Sequence, residues 1–292
     1  MEGAIFIVER RGDVLWVFMR WARRDLRGAL SLSFLLALVA LAASASWVMP
    51  YSPTAQDLNA MMAPISSRHW LGTDDLGRDT LSRLIAGGGA SLYASFLAVF
   101  IAIAIGVPVG LVAGYIGGWI DEVISRVIDS FLSFPAIVLA IAVTGALGIG
   151  LTNGMISVGI VFAPQLARLV RARTLVVRRE LYVDSARCLG ATTIHILRRH
   201  ILPNAIQPVI VQVTLLLAAA LLAEASLSFL GLGIQPPEAS WGAMLARAYQ
   251  NMELDPTQMY PPGLAILLTA LAFNTLGESL RITLDPTSTT WR

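Results

Sequence analysis

The sequence predicts an all-α membrane protein with six transmembrane helices, and three observations carry that expectation. Of 292 residues, 56% are hydrophobic and only 14% are charged, whereas an ordinary soluble domain has about 25% charged residues. Uncharged runs recur at the length of roughly 20 residues that a helix needs to cross a hydrocarbon core of about 30 Å. The arginines gather in alternate segments between those runs, as loops do when they sort to the two sides of a bilayer.

The first run, 29–49, follows a basic leader, 1–28. A cleaved signal peptide also carries a basic leader, and Ala43-Ser44-Ala45 mimics a cleavage site. The length of the run and the spans that follow it favour a retained helix. The second run, 84–120, places about 91–115 in lipid. Residues 130–167 are long enough for two spans joined by a Gly and Asn turn near 148–154. The fifth, 201–230, is interrupted by charge only at Glu224, and the sixth lies in 256–277, with a helix from about Gly263. The membrane unit is thus 29–286, with outer loops at 50–83 and 231–262, an inner loop at 168–205 and a tail at 287–292.

A cytoplasmic N-terminus puts all of the 21 arginines inside except Arg68, Arg78, Arg83 and Arg247, so both termini are expected in the cytoplasm. In the first outer loop Asp74 with Arg78, and Asp79 with Arg83, are four apart, the spacing of ion pairs on one helix face. Leu76, Leu81, Leu84 and Ile85 give that helix an apolar side for the bilayer surface, and the aspartates read as helix caps rather than a calcium site. Trp241, Tyr249 and Tyr260 in the second outer loop suit either an interfacial anchor or a protein contact.

Several chemistries are excluded. Every basic side chain is arginine, so neither a Walker A lysine nor a Schiff-base lysine exists in the chain. Cys188 stands alone and cannot close an intrachain disulfide, and His69, His195 and His200 match no zinc spacing, so no metal site is expected. His-Glu-x-x-His and Gly-x-Ser-x-Gly are absent as well. These readings point to a protein without catalytic residues and without a cofactor, and nothing suggests nucleic acid.

Gly106, Gly110, Gly114 and Gly118 fall every fourth residue on one face of the second helix, where another helix of this chain or of a partner could approach closely. Pro108 should bend that helix by removing a backbone donor.

The inner loop carries the most information. Residues 168–179 extend the fourth helix with arginines. Asp184 then suits the first turn of a short helix, and Gly190 suits its stop, where positive φ is easy. Thr192 or Thr193 can cap a second helix that Pro203 ends. The result is an elbow projecting from the bilayer, with Leu181, Tyr182, Cys188 and Leu189 beside arginines, a surface that could grip a soluble partner or simply be a solvated, positively charged face.

Asp184-Ser185-Ala186, then Gly190, then Leu202-Pro203, resembles the loop signature of ABC importer permeases, written EAA, three residues, G, nine residues, I, one residue, LP. The chain departs from it with Asp for Glu, Ser for the first Ala and His200 for Ile. Residues 69–79 (HWLGTDDLGRD) and 223–233 (AEASLSFLGLG), with Pro236-Pro237 and Ser240-Trp241-Gly242, are similar to the C-type subunit of oligopeptide and dipeptide permeases. The resemblance implies a type I ABC importer permease fold in a bacterial inner membrane. The implied partners are a homologous second permease, two cytoplasmic ATPase subunits that bind the ATP and Mg, an extracytoplasmic substrate-binding protein and membrane lipid. It also implies that Leu181, Tyr182, Asp184, Ser185, Ala186, Arg187, Leu189, Gly190, His200, Leu202 and Pro203 form the ATPase-coupling segment. Peptides are the implied substrate, although relatives with these runs also handle nickel complexes and other solutes.

Switching a two-state transporter from 1:99 to 99:1 takes about 5.5 kcal/mol of differential interaction, and exposed charge pairs supply about 0 to 1 kcal/mol each, so the elbow must dock by burying apolar side chains. Glu224, with Ser226 and Phe229, is a candidate for a gate or pathway lining, or else Glu224 is a hydrogen-bonded residue near the outer interface. A proton- or ion-coupled carrier would need a second membrane acid, for which Asp129 is the candidate. A non-transport membrane scaffold is the remaining alternative.

Overall fold

The computed structural model of the chain describes residues 25–284, which are helical with no strand among them. Residues 1–24 of the leader and the 287–292 tail lie outside the described residues, and so do six of the arginines that set the expected orientation. Helix α1 (Leu26–Ala43) starts at Asp25, whose carboxylate accepts the Gly28 amide at 3.0 Å. Helix α2 (Thr80–Ile116) has 37 residues and stops at Gly117, whose φ of 72° ends the helical path. Helices α3 (Gly118–Leu132) and α4 (Ala136–Leu147) follow, then α5 (Leu151–Val177), which carries Arg168, Arg171 and Arg173 on its last turns.

Among the described residues five helices are long and apolar enough to cross a membrane, and the bent pair α3 with α4 makes a sixth if it counts as one span. The third span is therefore not the straight helix expected from 130 onward. At Ser133-Phe134-Pro135 the direction changes by 95°, because the residue before a proline is pushed out of the helical region. With 12 residues α4 is about 18 Å long, too short to span alone. The turn after it uses Gly148 and Gly150 at positive φ, and Asn153 donates to the carbonyls of Leu147 and Gly148 at 3.0 and 3.2 Å.

The central contact is α2 against α5. A Cβ at Gly106 would lie 2.7 Å from the Ala163 carbonyl oxygen, and one at Gly110 would lie 2.5 Å from that of Ala167. Gly114 meets Thr174 in the same way, and Gly159 of α5 returns the relationship against Ala98. The glycine face thus packs within the chain. Gly118 is a correction: it lies past the end of α2 at φ 59°, exposed and with nothing near it, because Gly117 has already broken the helical phase. Leu92, Val99, Val158, Leu166, Leu221 and Phe273 close the core around this contact, while Leu36, Phe100 and Leu267 face outward as lipid-exposed residues do.

Four short pieces and two long helices follow α5. They are α6 (Leu181–Cys188), α7 (Thr193–Ile196), a wide π turn (Leu197–Ile201), α8 (Leu202–Phe229), α9 (Trp241–Gln250) and α10 (Tyr260–Leu284). Pro203 does not end a helix. The chain runs helically from Thr193 to Phe229, and the π turn just before Pro203 absorbs the lost i−4 bond, while Asn204 Nδ2 takes the His200 carbonyl at 2.6 Å.

The segment before α2 is a turn, not a helix. Asp74 accepts the Leu76 and Arg78 amides at 3.0 Å each and pairs with the buried Arg78 guanidinium, Nε donating at 2.7 Å. Asp79 caps α2, accepting the Ser82 amide at 2.8 Å, and bonds His69 Nδ1 at 2.9 Å rather than Arg83. Arg83 reaches Asp74 and the Pro53 carbonyl, the latter at 2.8 Å. Asp and Gly residues favour such local turns and caps over helix interiors.

Candidate functional site

The elbow is built at the end of α5 and the beginning of α8. In α6, Asp184 lies in the first turn and Arg187 in the last, the arrangement that suits the helix dipole, and the two pair at 2.8 Å. Ser185 Oγ donates to the Leu181 carbonyl at 2.9 Å. Gly190 has φ 78° with open space where a side chain would go, so the backbone conformation, not crowding, requires glycine there. The Ala191 amide returns to the Ala186 carbonyl at 3.0 Å, and Thr192 caps α7 through the His195 amide.

One side of the elbow is fastened down. Val183, Ile196 and Ile201 are buried together with Val177, and Leu111 and Tyr115 of α2 pack against them. Arg187 also sits over the Tyr115 ring, 5.5 Å from its centroid. The other side is bare: Leu181 is 83% exposed, Leu189 87% and Ile194 68%. Burial pushes the Tyr182 phenol above its usual range, with Glu180 adding to the effect, so it remains a neutral hydroxyl. Its ring lies 6.0 Å from that of His200, which in turn lies 5.8 Å from His195. Ala186 joins the buried cluster, and Leu202 and Pro203 begin the rising helix. The sequence reading passed over Ile194, whose only local signal is an apolar residue between Thr193 and His195.

Next to the elbow, α5 is tied to α3 by residues that motif reading did not reach. Arg171 of α5 makes a two-bond pair with Asp121 of α3, one bond at 2.7 Å. Asp129, the acid that a carrier mechanism would need, is exposed and paired with Arg168.

At the opposite end of the bundle, Glu224 is 1% exposed. It accepts from Ser91 of α2 at 3.2 Å, from Ser228 at 2.8 Å and from Ser240 at 2.7 Å. The structure separates it from the two residues grouped with it. Ser226 is exposed and bonds back to the Leu222 carbonyl at 2.9 Å, and Phe229 is exposed and stacks near Tyr249 at 5.2 Å. Residues two and five positions after Glu224 point away from it on a helix. Trp241 is likewise no interfacial anchor: it is buried, and its Nε1 donates to the Leu84 carbonyl at 2.9 Å. A cavity of about 650 Å³ opens at this end between α2, the start of α5 and the 234–238 loop, lined in part by Tyr93, Asn153 and Gln235. Glu224, Ser226 and Phe229 do not line it.

Comparison with known proteins gives a consistent result. Residues 106–289 match the family described as binding-protein-dependent transport system inner membrane component. The glutathione transport system permease protein GsiD of Escherichia coli O1:K1 / APEC is 44% identical over 270 residues, covering 92% of this chain and 89% of the relative. The protein of the same name from Shigella flexneri serotype 5b (strain 8401) matches to the same extent. Among solved structures, the fold is similar to a chain of the inward-facing MetNI methionine ABC transporter, native crystal form. That match has a TM-score of 0.58 at 21% identity and covers 70% of this chain and 97% of that one. A chain of an amino acid ABC transporter crystallised with histidines gives 0.51 at 20% identity, covering 70% and 93%.

Proposed function

The chain belongs to the binding-protein-dependent transport system inner membrane components, the permease subunits of ABC importers, and from that premise we propose that it is half of a peptide pathway worked through the elbow. The single observation that carries the proposal is the two-sided elbow, clamped by Val183, Ile196 and Ile201 and baring Leu181, Leu189 and Ile194. Burying one such leucine contributes roughly 1.5 to 3 kcal/mol, so two or three reach the differential that a transport switch needs.

In this reading the elbow faces the cytoplasm with both termini, and residues 181–203 seat in an ATPase subunit that binds ATP and Mg. A lysine-free chain supplies no phosphate-binding lysine of its own and works without a cofactor or a catalytic residue. A second, homologous permease completes the pathway, and a substrate-binding protein delivers from the side of the 50–83 and 231–262 loops. Ser226 and Phe229, on the exposed face of α8, are candidates to line the shared pathway, whereas Glu224, sealed in its serine cage, is not. Short peptides are the favoured substrate class, since relatives 44% identical are named for glutathione, itself a tripeptide. An ion-coupled carrier is disfavoured by Asp129, which is paired with Arg168 at an exposed position.

The test is purification of the tagged chain from its native membrane, together with uptake of labelled glutathione, dipeptides and longer peptides by cells with and without it. Stoichiometric ATPase subunits and ATP-dependent peptide uptake support the reading. A chain that transports alone, or peptide uptake indifferent to its loss, refutes it.

A further inference from the structure

The first amides of a helix have no partner inside it. In α9 these are Trp241, Gly242 and Ala243, and all three gather around Glu224. The Gly242 backbone lies against the carboxylate, where a Cβ would come within 3.0 Å of Glu224 Oε1. The Trp241 amide donates to Ser91 Oγ at 3.0 Å, and Ser91 Oγ donates to Glu224 Oε2 at 3.2 Å. The Ala243 amide donates to Ser240 Oγ at 3.1 Å, and Ser240 Oγ donates to Glu224 Oε1 at 2.7 Å. The polarity of both relays is fixed, because an amide only donates; each serine oxygen therefore accepts there and has one proton left for the carboxylate. Helix starts favour groups that accept hydrogen bonds, and here the acceptor is the chain's own carboxyl group. Gly242 lets it approach: a Cβ there would lie 2.6 Å from Ala225 Cα.

Glu224 lies near the far end of the helical run that rises from the elbow. Two further polar contacts of α9 run to the α2 side, Trp241 Nε1 to the Leu84 carbonyl at 2.9 Å and Arg247 Nε to Asp75 at 2.6 Å. The hydrogen-bonded link to α8 goes through the carboxyl group of Glu224.

We infer that Glu224 is a positioning residue that binds the start of α9 and joins it, with the upper part of α2, to the end of α8, so that these three segments move as one body. The consequence for transport rests on the permease reading above, while the structural half can be read on the full-length chain alone.

The experiment is residue-resolved hydrogen exchange on the full chain in lipid nanodiscs, comparing wild type with Glu224→Gln, Ser240→Ala and Ser91→Ala. The amide of Glu224→Gln turns an NH2 toward groups that themselves donate. Exchange at Trp241 and Ala243 should rise roughly tenfold or more, as leaving a buried donor unsatisfied implies, with residues 181–203 unchanged. Ser240→Ala should expose Ala243 selectively and Ser91→Ala should expose Trp241 selectively, a pattern that general loosening does not produce. These two variants decide the matter if Glu224→Gln does not fold. Unchanged exchange at the two amides, or a uniform rise through α2, α5 and α8, overturns the inference. In the assembled transporter, uptake per ATP hydrolysed should fall roughly tenfold in Glu224→Gln, and an unchanged ratio overturns the coupled motion. A wild-type complex with no ATP-driven uptake instead refutes the permease proposal and leaves the exchange result to stand on its own.

Discussion

Arg178 reaches from the end of α5 to the last turn of α2, where its Nη1 donates to the Gly114 carbonyl at 3.0 Å and to that of Tyr115 at 2.9 Å. The carbonyls that end a helix lack partners, and a cation there is favourable. One side chain thereby satisfies α2 and fixes where the chain turns into the elbow.

Replacing Arg178 with Met should therefore cost about 1 to 3 kcal/mol of stability, because it leaves half-buried carbonyls without a charged donor. Thermal unfolding of the purified chain in detergent checks this. Arg178→Lys should recover only part of the loss, since one ammonium does not reproduce the fork of a guanidinium.

Gly110→Val should lower stability by about 1 to 3 kcal/mol or more, since its Cβ would meet the Ala167 carbonyl at 2.5 Å and the Val170 Cβ at 2.7 Å. Gly145→Ala in α4, with open space around it, should be neutral or stabilising by up to about 1 kcal/mol. Equal melting temperatures for the two variants would contradict the packing described for α2 and α5.

Leu181→Ser with Leu189→Ser should leave the melting temperature of the chain unchanged while weakening retention of ATPase subunits roughly tenfold or more, the effect of losing one buried leucine. Val183→Ser, on the clamped side, should lower the melting temperature instead. Quantitative co-purification beside thermal unfolding separates the two faces.

At Gly190 the substitutions should rank Asn, Ala, Val in increasing damage, because asparagine tolerates positive φ and a β-branched side chain does not. The readout is the ratio of peptide uptake to ATP hydrolysis, with membrane insertion unchanged. An indifferent Val variant would remove the elbow from the coupling path.

The sequence revealed the helices and the elbow because both follow from local rules: apolar length, caps at Thr192 and Asp79, and a positive-φ stop at Gly190. It hid what depends on distant residues. Glu224 is held by serines 133 and 16 positions away, and the proximity of Ser91 follows only from how α2 and α8 pack. The i, i+4 charges of 74–83 looked helical because spacing alone does not reveal that Asp79 is already spent as a cap. Pro135 hid inside an uncharged run, so a 95° bend read as one straight span.

The π turn at Leu197–Ile201 sets the angular phase between the elbow and everything above it. Each helical residue advances the azimuth by about 100°, so deleting one residue from this turn would swing Glu224 off Ser91 while leaving every helical segment intact. The stretch should accept no change in length, and its residue count works as the indexing between the two ends of the subunit.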